Sequence, residues 1–173
     1  NKNFNKGMTL TALGSFWWGV IGVIYFKYIS FAGPVEVVIH RCIWTSAVLI
    51  ITTFYFSKWN IFFEIISNKK KLVWLFFSGL LIFINWATWI YAVGTERIID
   101  ASFGYFIMPI LSVFLGYIFY NEKINKKRII SIILVLISIL FLLFVNFNSI
   151  PWVGIIVALS WGFYNLLRKK INV

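Results

Sequence analysis

DASFGYFIMPILSVFLGYIFYNE, residues Asp100–Glu122, is the stretch that decides the fold. It is apolar from Ala101 to Tyr120, roughly 20 residues, the length that carries a helix across the hydrocarbon core of a bilayer. Gly104, Pro109 and Gly116 lie inside it, residues that a free helix avoids and that membrane helices accept where neighbours satisfy the loosened backbone. Ala101, Tyr105, Met108, Ser112 and Gly116 share one helical face, mostly small and mildly polar. Such a face either meets another helix closely or lines a path. A kinked packing helix without a transport role fits the same stretch.

Working outward, the whole chain has the same character. Of 173 residues, 61% are hydrophobic and only 12% charged, against about a quarter charged in globular domains, so the composition is that of a membrane protein. The net charge of +11 does not indicate nucleic acid, because the basic residues form short clusters between apolar runs. A single Cys42 excludes an intrachain disulfide, and one His with one Cys leaves too few soft ligands for a structural zinc. The sequence calls for no cofactor: phosphate-loop and nucleophile-elbow motifs are absent.

The runs predict an all-α, polytopic transmembrane bundle with spans at about 9–28, 35–56, 72–93, 100–120 and 129–145, followed by a sixth run at 152–167. The first run exceeds the ~7–15 residues of a signal-peptide core and more spans follow closely, so it reads as a retained helix. Ser15, Gly19 and Gly22 form a small-residue stripe on it. Ser57–Lys71 reads as a surface segment whose lysines face lipid head groups, and NFNSIP as a turn with Pro151 opening the last helix.

Placing the N-terminus in the cytoplasm puts every Lys and Arg on the inner side except Lys27, Arg41 and Arg97, which predicts an inner-membrane protein with both ends inside. The sixth run echoes the first: Trp18-Gly19 and Trp161-Gly162 are 143 residues apart, Lys27 meets Lys170 at that offset, and Gly154, Ala158 and Gly162 form a second small-residue stripe. With an odd number of spans between starts, the copies must run in opposite senses, as in inverted-repeat transporters. The expected division is a five-helix repeat over 1–148 and the first helix of an incomplete second repeat over 149–173.

Several motifs resemble those of RarD-type permeases in the EamA branch of drug/metabolite transporters. His40-Arg41-Cys42-Ile43-Trp44-Thr45 resembles HRxxWS, and Asn85-Trp86 with Ala92-Val93 resembles NWxxxxxAV. Asp100–Pro109 resembles EASLGYFINP, Gly116–Glu122 GxxFxxE, Ser149-Ile150-Pro151 SLP, and Tyr164–Lys170 YGLxRKK. The first span departs from WGxxPxYFK: Trp18 to Lys27 lacks the proline and is one residue longer. Met108 stands where the family has Asn, which removes a side-chain hydrogen-bonding group beside Pro109. The resemblance implies ten helices in two inverted halves, a permease function, and a link to chloramphenicol sensitivity or resistance that establishes no natural substrate. The partners expected are membrane lipids, a small-molecule solute, the remaining C-terminal half and a second copy in a homodimer.

Candidate substrate-path residues are His40, Arg41, Asn85, Trp86, Tyr105, Met108, Pro109 and Ser112; Ser15, Gly19, Gly22, Gly104, Gly116, Gly154, Ala158 and Gly162 are candidates for helix packing. Arg41 lies inside a span, where a cation is costly unless it pairs or snorkels; it either serves the site or snorkels with Glu36 or Asp100 as a structural partner. His40 suits a proton relay or an interfacial hydrogen bond. Asn85 bridges helices or touches solute. Trp86, Trp89 and Tyr105 would wall a cavity for flat or cationic solutes, or belong to an aromatic belt. Glu122 ends a helix where its charge opposes the dipole, with Lys123 or Lys126 to offset it. The function expected is alternating-access transport; a non-transporting scaffold subunit is the competing reading, and an intramembrane enzyme lacks a paired nucleophile and base.

Overall fold

A computed structural model describes residues 2–146 and 151–171. The described residues are helical with short turns: α1 (Lys2–Phe16), a π-helical turn (Trp17–Gly22), α2 (Val23–Tyr28), α3 (Pro34–Tyr55), α4 (Trp59–Ser67), α5 (Lys69–Gly94), α6 (Ile98–Tyr120), α7 (Lys126–Asn146) and α8 (Trp152–Ile171). α1, the π turn and α2 follow one another as a single span, Phe4–Tyr28, one of five that are long and apolar enough to cross a membrane. The chain is therefore a polytopic helical membrane bundle.

Local chemistry sets the helix ends. Pro34 opens α3 at a position whose N–H has no helical acceptor anyway, with Glu36 in the favourable first turn. Asn68 breaks the surface segment in two: its side chain accepts from Lys71 N–H at 3.1 Å and caps α5. Lys69–Lys71 are thus the first turn of the third span, a correction to the surface segment expected over Ser57–Lys71. The helices outrun their apolar cores because lysine stems reach head groups from one turn beyond the hydrocarbon. Asn125 caps α7 in the same way, accepting from Arg128 N–H at 2.9 Å. Asn121, at φ 50°, ends α6 in the left-handed conformation that asparagine tolerates. Residues 147–150, with Ser149 and the expected boundary at 148, lie outside the described residues.

The first span holds a π turn over Trp17–Gly22. A π turn closes i→i+5 and absorbs one additional residue without breaking the helix.

The packed frame is α5, α6 and α8. Among the described residues the largest fully buried side chains are Val93, Val153 and Val157. α6 and α8 run in parallel: Gly104 meets Gly154, Gly162 meets Leu111, and the Tyr120 hydroxyl donates to Leu166 O at 3.0 Å. A Cβ on Gly104 would land on the Gly154 carbonyl, so glycine is what lets these backbones touch. α5 runs against α8, with Asn85 facing Val157 and Ser160 while Tyr91 rests on Trp152. The first span is parallel to α5, with Trp18 on Trp86 and Lys27 on Glu96. It follows that the two Trp-Gly helices run in opposite senses. The basic starts of α5 and α7 and the basic end of α8 share one end of the bundle.

α8 is not among the five spans that hydropathy marks, yet it is among the most enclosed helices. Asn165, Arg168 and Lys169 lower its hydropathy, and its glycines, alanine and serine permit close contact. By contrast, α7 and α1 touch little beyond their chain neighbours and leave Leu, Ile and Phe outward, which is the surface lipid covers.

Candidate functional site

Arg41 sits seven residues into α3, about 10 Å along its axis from Pro34. Its guanidinium carbon lies 3.7 Å from the centroid of the Trp86 ring and 5.3 Å from that of Phe26. Those rings belong to an aromatic box. Trp18 is edge-on to Trp86 at 5.0 Å and stacked on Trp89 at 5.3 Å, and Phe26 is edge-on to Trp89 at 5.2 Å. The π turn carries Trp18. A cation over desolvated indole gains on the order of 2 kcal/mol.

The expected acidic partners of Arg41 are corrected by this geometry. Asp100 pairs with Arg97 Nη2 at 2.6 Å and accepts from Gly154 N–H at 3.2 Å, so it caps the first turn of α8 from a neighbouring helix. Arg97 also lies over Trp152, 4.9 Å from the ring centroid. Glu36 is exposed, with no ion pair to Arg41 among the described residues. Glu122 pairs with Lys169 of α8 in place of Lys123 or Lys126, because parallel α6 and α8 finish side by side. At the opposite end Lys27 donates to Glu96 at 2.8 Å; that hydrogen bond, then the charge of Lys27, holds the Glu96 carboxyl below the usual carboxylate range.

A cleft of about 390 Å³ opens between α3 and α5, with Arg41, Thr45, Ser46 and Trp86 among its walls. A second, of about 430 Å³, shares Arg41 and Thr45 and adds Glu36, His40 and Trp44. Of the path candidates, these clefts gather His40, Arg41 and Trp86. Asn85 turns the other way: its amide is 4% exposed and donates to Val157 O at 2.9 Å and Ser160 Oγ at 3.0 Å. Met108 is buried in α6, Pro109 is exposed, and Tyr105 is partly exposed beside Trp18. Ser112 lines a separate cleft of about 180 Å³ near Glu122 and Lys169.

The packing candidates divide as well. Gly104, Gly154, Ala158 and Gly162 lie at the contacts of α8. Gly116 lies 3.0 Å, measured from the Cβ it lacks, from the carboxylate of Glu122 beyond its own helix end. Ser15 and Gly19 are exposed, Gly19 with nothing within 4 Å, and Gly22 touches the Trp18 ring of its own span. Ser15 and Gly19 of the small stripe thus face outward, and Gly22 is buried. Among the described residues no three His, Cys, Asp or Glu side chains gather as metal ligands.

Residues 5–144 match the model of the EamA-like transporter family. The chain belongs to that family. Among the curated relatives of this EamA-type chain are Protein RarD of Escherichia coli, 33% identical over 99% of the chain and 57% of the relative, and an uncharacterized transporter of Vibrio cholerae, 34% identical over 99% and 56%. The uncharacterized transporter YojE of Bacillus subtilis is 31% identical over 97% of the chain and 57% of its own length. The chain thus spans somewhat more than half the length of these relatives. No solved structure matches it. A multi-span helical chain of a bacterial transporter family belongs in the inner membrane.

Sequence reasoning placed Arg41 and Trp86 on the path without joining them, and missed Trp18, Phe26 and Lys169. Trp18 and Phe26 are eight residues apart, on one helical face, and that spacing was the available signal.

Proposed function

We propose that the EamA-type chain forms the first repeat, residues 1–148, and the opening helix of the second in an alternating-access permease for small metabolites or drugs. The observation that carries this reading is Arg41, a cation held inside a span over Trp86 at the edge of an open cleft. Charged groups at such depth belong to solute and ion pathways by default. A transporter is favoured over an enzyme by the family match, and by the cleft over Trp86, which no carboxylate or histidine lines among the described residues.

The N-terminus is cytoplasmic on this reading. Its support is the collection of Lys69–Lys71, Lys126–Arg128 and Arg168–Lys169 at one end of the bundle. A second half, supplied by further chain or by a second copy, would face the exposed side of α3 and close the path.

The test is transport by the uninterrupted gene product in proteoliposomes against a metabolite panel, with and without a proton gradient. Transport that disappears with Arg41→Ala, while the protein remains folded, is the expected result. Transport by the 173-residue chain alone would overturn the need for a second half. A stable partner protein with no solute movement would favour the scaffold reading.

A further inference from the structure

We infer that the cleft between α3 and α5 binds a small organic monoanion, a carboxylate on an apolar body, through the guanidinium of Arg41. This rests on the transporter reading and narrows its solute class.

A guanidinium donates in its own plane, through five N–H groups around its rim. Arg41 presents its face to Trp86, which leaves that rim for another partner. Ring contact offsets part of the cost of removing the charge from water, but it satisfies none of the donors. The chain has five carboxylates, and Glu96, Asp100 and Glu122 are engaged by Lys27, Arg97 and Lys169. Glu64 lies on α4, beside the start of α5 and far from Trp86. Glu36 lines the neighbouring cleft with Arg41, but none of the five lines the cleft over Trp86.

Among the described residues the positive charge there has no ion-pair partner, which fits a site whose counterion is the solute. The remaining walls set its body: Val38, Ile82, Phe83 and Trp86 are apolar, with the Thr45 and Ser46 hydroxyls one turn along α3. Of the flat or cationic solutes expected on the tryptophans, this proposal keeps the flat and replaces the cationic. The ring face that would have held a cation already holds Arg41.

The test compares three probes of one shape, 4-nitrobenzoate, 4-nitrobenzamide and 4-nitrobenzylamine, by equilibrium dialysis against the chain in zwitterionic nanodiscs. Nitrobenzoate should bind about tenfold or more tightly than the amide, the value of a charge-assisted hydrogen bond. Arg41→Gln should bring the two to equal affinity. Arg41→Lys, a point charge without the fork, should fall between them, and its retained preference separates loss of charge from loss of fold. Cys42, the single cysteine and exposed on the same cleft, should react more slowly with maleimide when nitrobenzoate is present. Equal affinity for benzoate and amide, no binding of any probe, or a benzoate preference that survives Arg41→Gln overturns the site. In proteoliposomes of the uninterrupted protein the two readings fail separately. Movement of the amide or amine with no response to benzoate sinks the anion class and keeps the transporter. Bound benzoate with no solute moved at all sinks the transporter and keeps the site.

Discussion

Gly104→Ala should separate α6 from α8. A Cβ at position 104 falls on the Gly154 carbonyl oxygen, 3.0 Å from its carbon and 3.1 Å from its Cα, all of them backbone atoms that cannot rotate away. Carbon–oxygen contacts rest at about 3.3 Å or more, so the helices must part by about an ångström at their crossing. That gap forfeits a quarter to a half of each dispersion contact along the seam, and it stretches the Asp100 bond to Gly154 N–H, now 3.2 Å. Overpacking of this kind costs about 1–3 kcal/mol, and loss of the charge-assisted bond adds about 1.5 kcal/mol. Alanine returns about 1 kcal/mol through helix propensity, which leaves a net loss of about 2 kcal/mol. The same exchange at Gly14 or Gly79, where nothing lies within 4 Å, keeps the propensity gain alone. Gly162→Ala belongs between them, because its new Cβ meets the Cδ2 of Leu111 at 2.6 Å, the movable end of a side chain. SDS titration in mixed micelles, followed by far-UV circular dichroism, ranks the four variants. Gly104→Ala unfolding within about 0.5 kcal/mol of Gly14→Ala would refute the backbone contact.

Three further outcomes use the same titration. Asn85→Leu should cost about 1 kcal/mol, the scale of an interhelical hydrogen bond in a membrane, because Ser160 keeps its bond to Ile156 O at 2.6 Å; a loss above about 3 kcal/mol would mean that Asn85 does more than bridge α5 and α8. Arg97→Ala strands the Asp100 carboxylate, 5% exposed, and should cost about 2 kcal/mol after allowance for the partial exposure of Arg97; adding Asp100→Asn should recover part of it, and strict additivity of the two would refute the coupling. The Lys27–Glu96 pair should weaken in acid. The folded Glu96 carboxyl titrates below its unfolded value of about 4.3, so its contribution is present above that pH and lost as pH falls through the folded value; Glu96 is fully exposed, so the change should be small, erased by salt and absent in Glu96→Gln.

Much of this architecture could be read from the sequence, because a bilayer leaves an apolar run of some 20 residues few options. The ends were harder: Lys69–Lys71 look like loop residues by hydropathy, but they begin α5 because Asn68 caps it. α8 shows the limit from the other side, since Asn165 and its basic end weaken its apolar signal while its small residues admit it between α5 and α6. The site was legible in its parts but not in its pairings. Arg41 advertised itself as an intramembrane charge, and the reflex expectation of an acidic partner failed because the nearby surfaces belong to Trp86 and Phe26, from segments far apart in sequence. Lys169 could be assigned to Glu122 only after α6 and α8 were known to be parallel. The π turn that carries Trp18 onto Trp86 required the backbone.

The placement of Arg41 bears on how the proposed cycle would work. α5, α6 and α8 are joined along their length by glycine contacts, the Asn85 amide, the Asp100 cap and the Tyr120 hydroxyl, so relative motion among them would break several bonds together. α3 and the first span have no comparable ties. They reach the frame through Arg41, the aromatic box, the exposed Lys27–Glu96 pair and apolar packing of Phe26, Val37 and Val38 against Trp89, Ile90 and Val93, contacts without the directional bonds that lock the frame. The cleft lies on this boundary, with Trp86 on the fixed side and Arg41 on the movable one. A solute carboxylate on Arg41 would therefore act directly on the angle between α3 and α5, since binding energy shifts a conformational equilibrium only where the two states contact the ligand differently. Cross-linking α3 to α5 beside the cleft should then leave nitrobenzoate binding intact and stop transport; transport that persists through the cross-link would place the moving joint elsewhere.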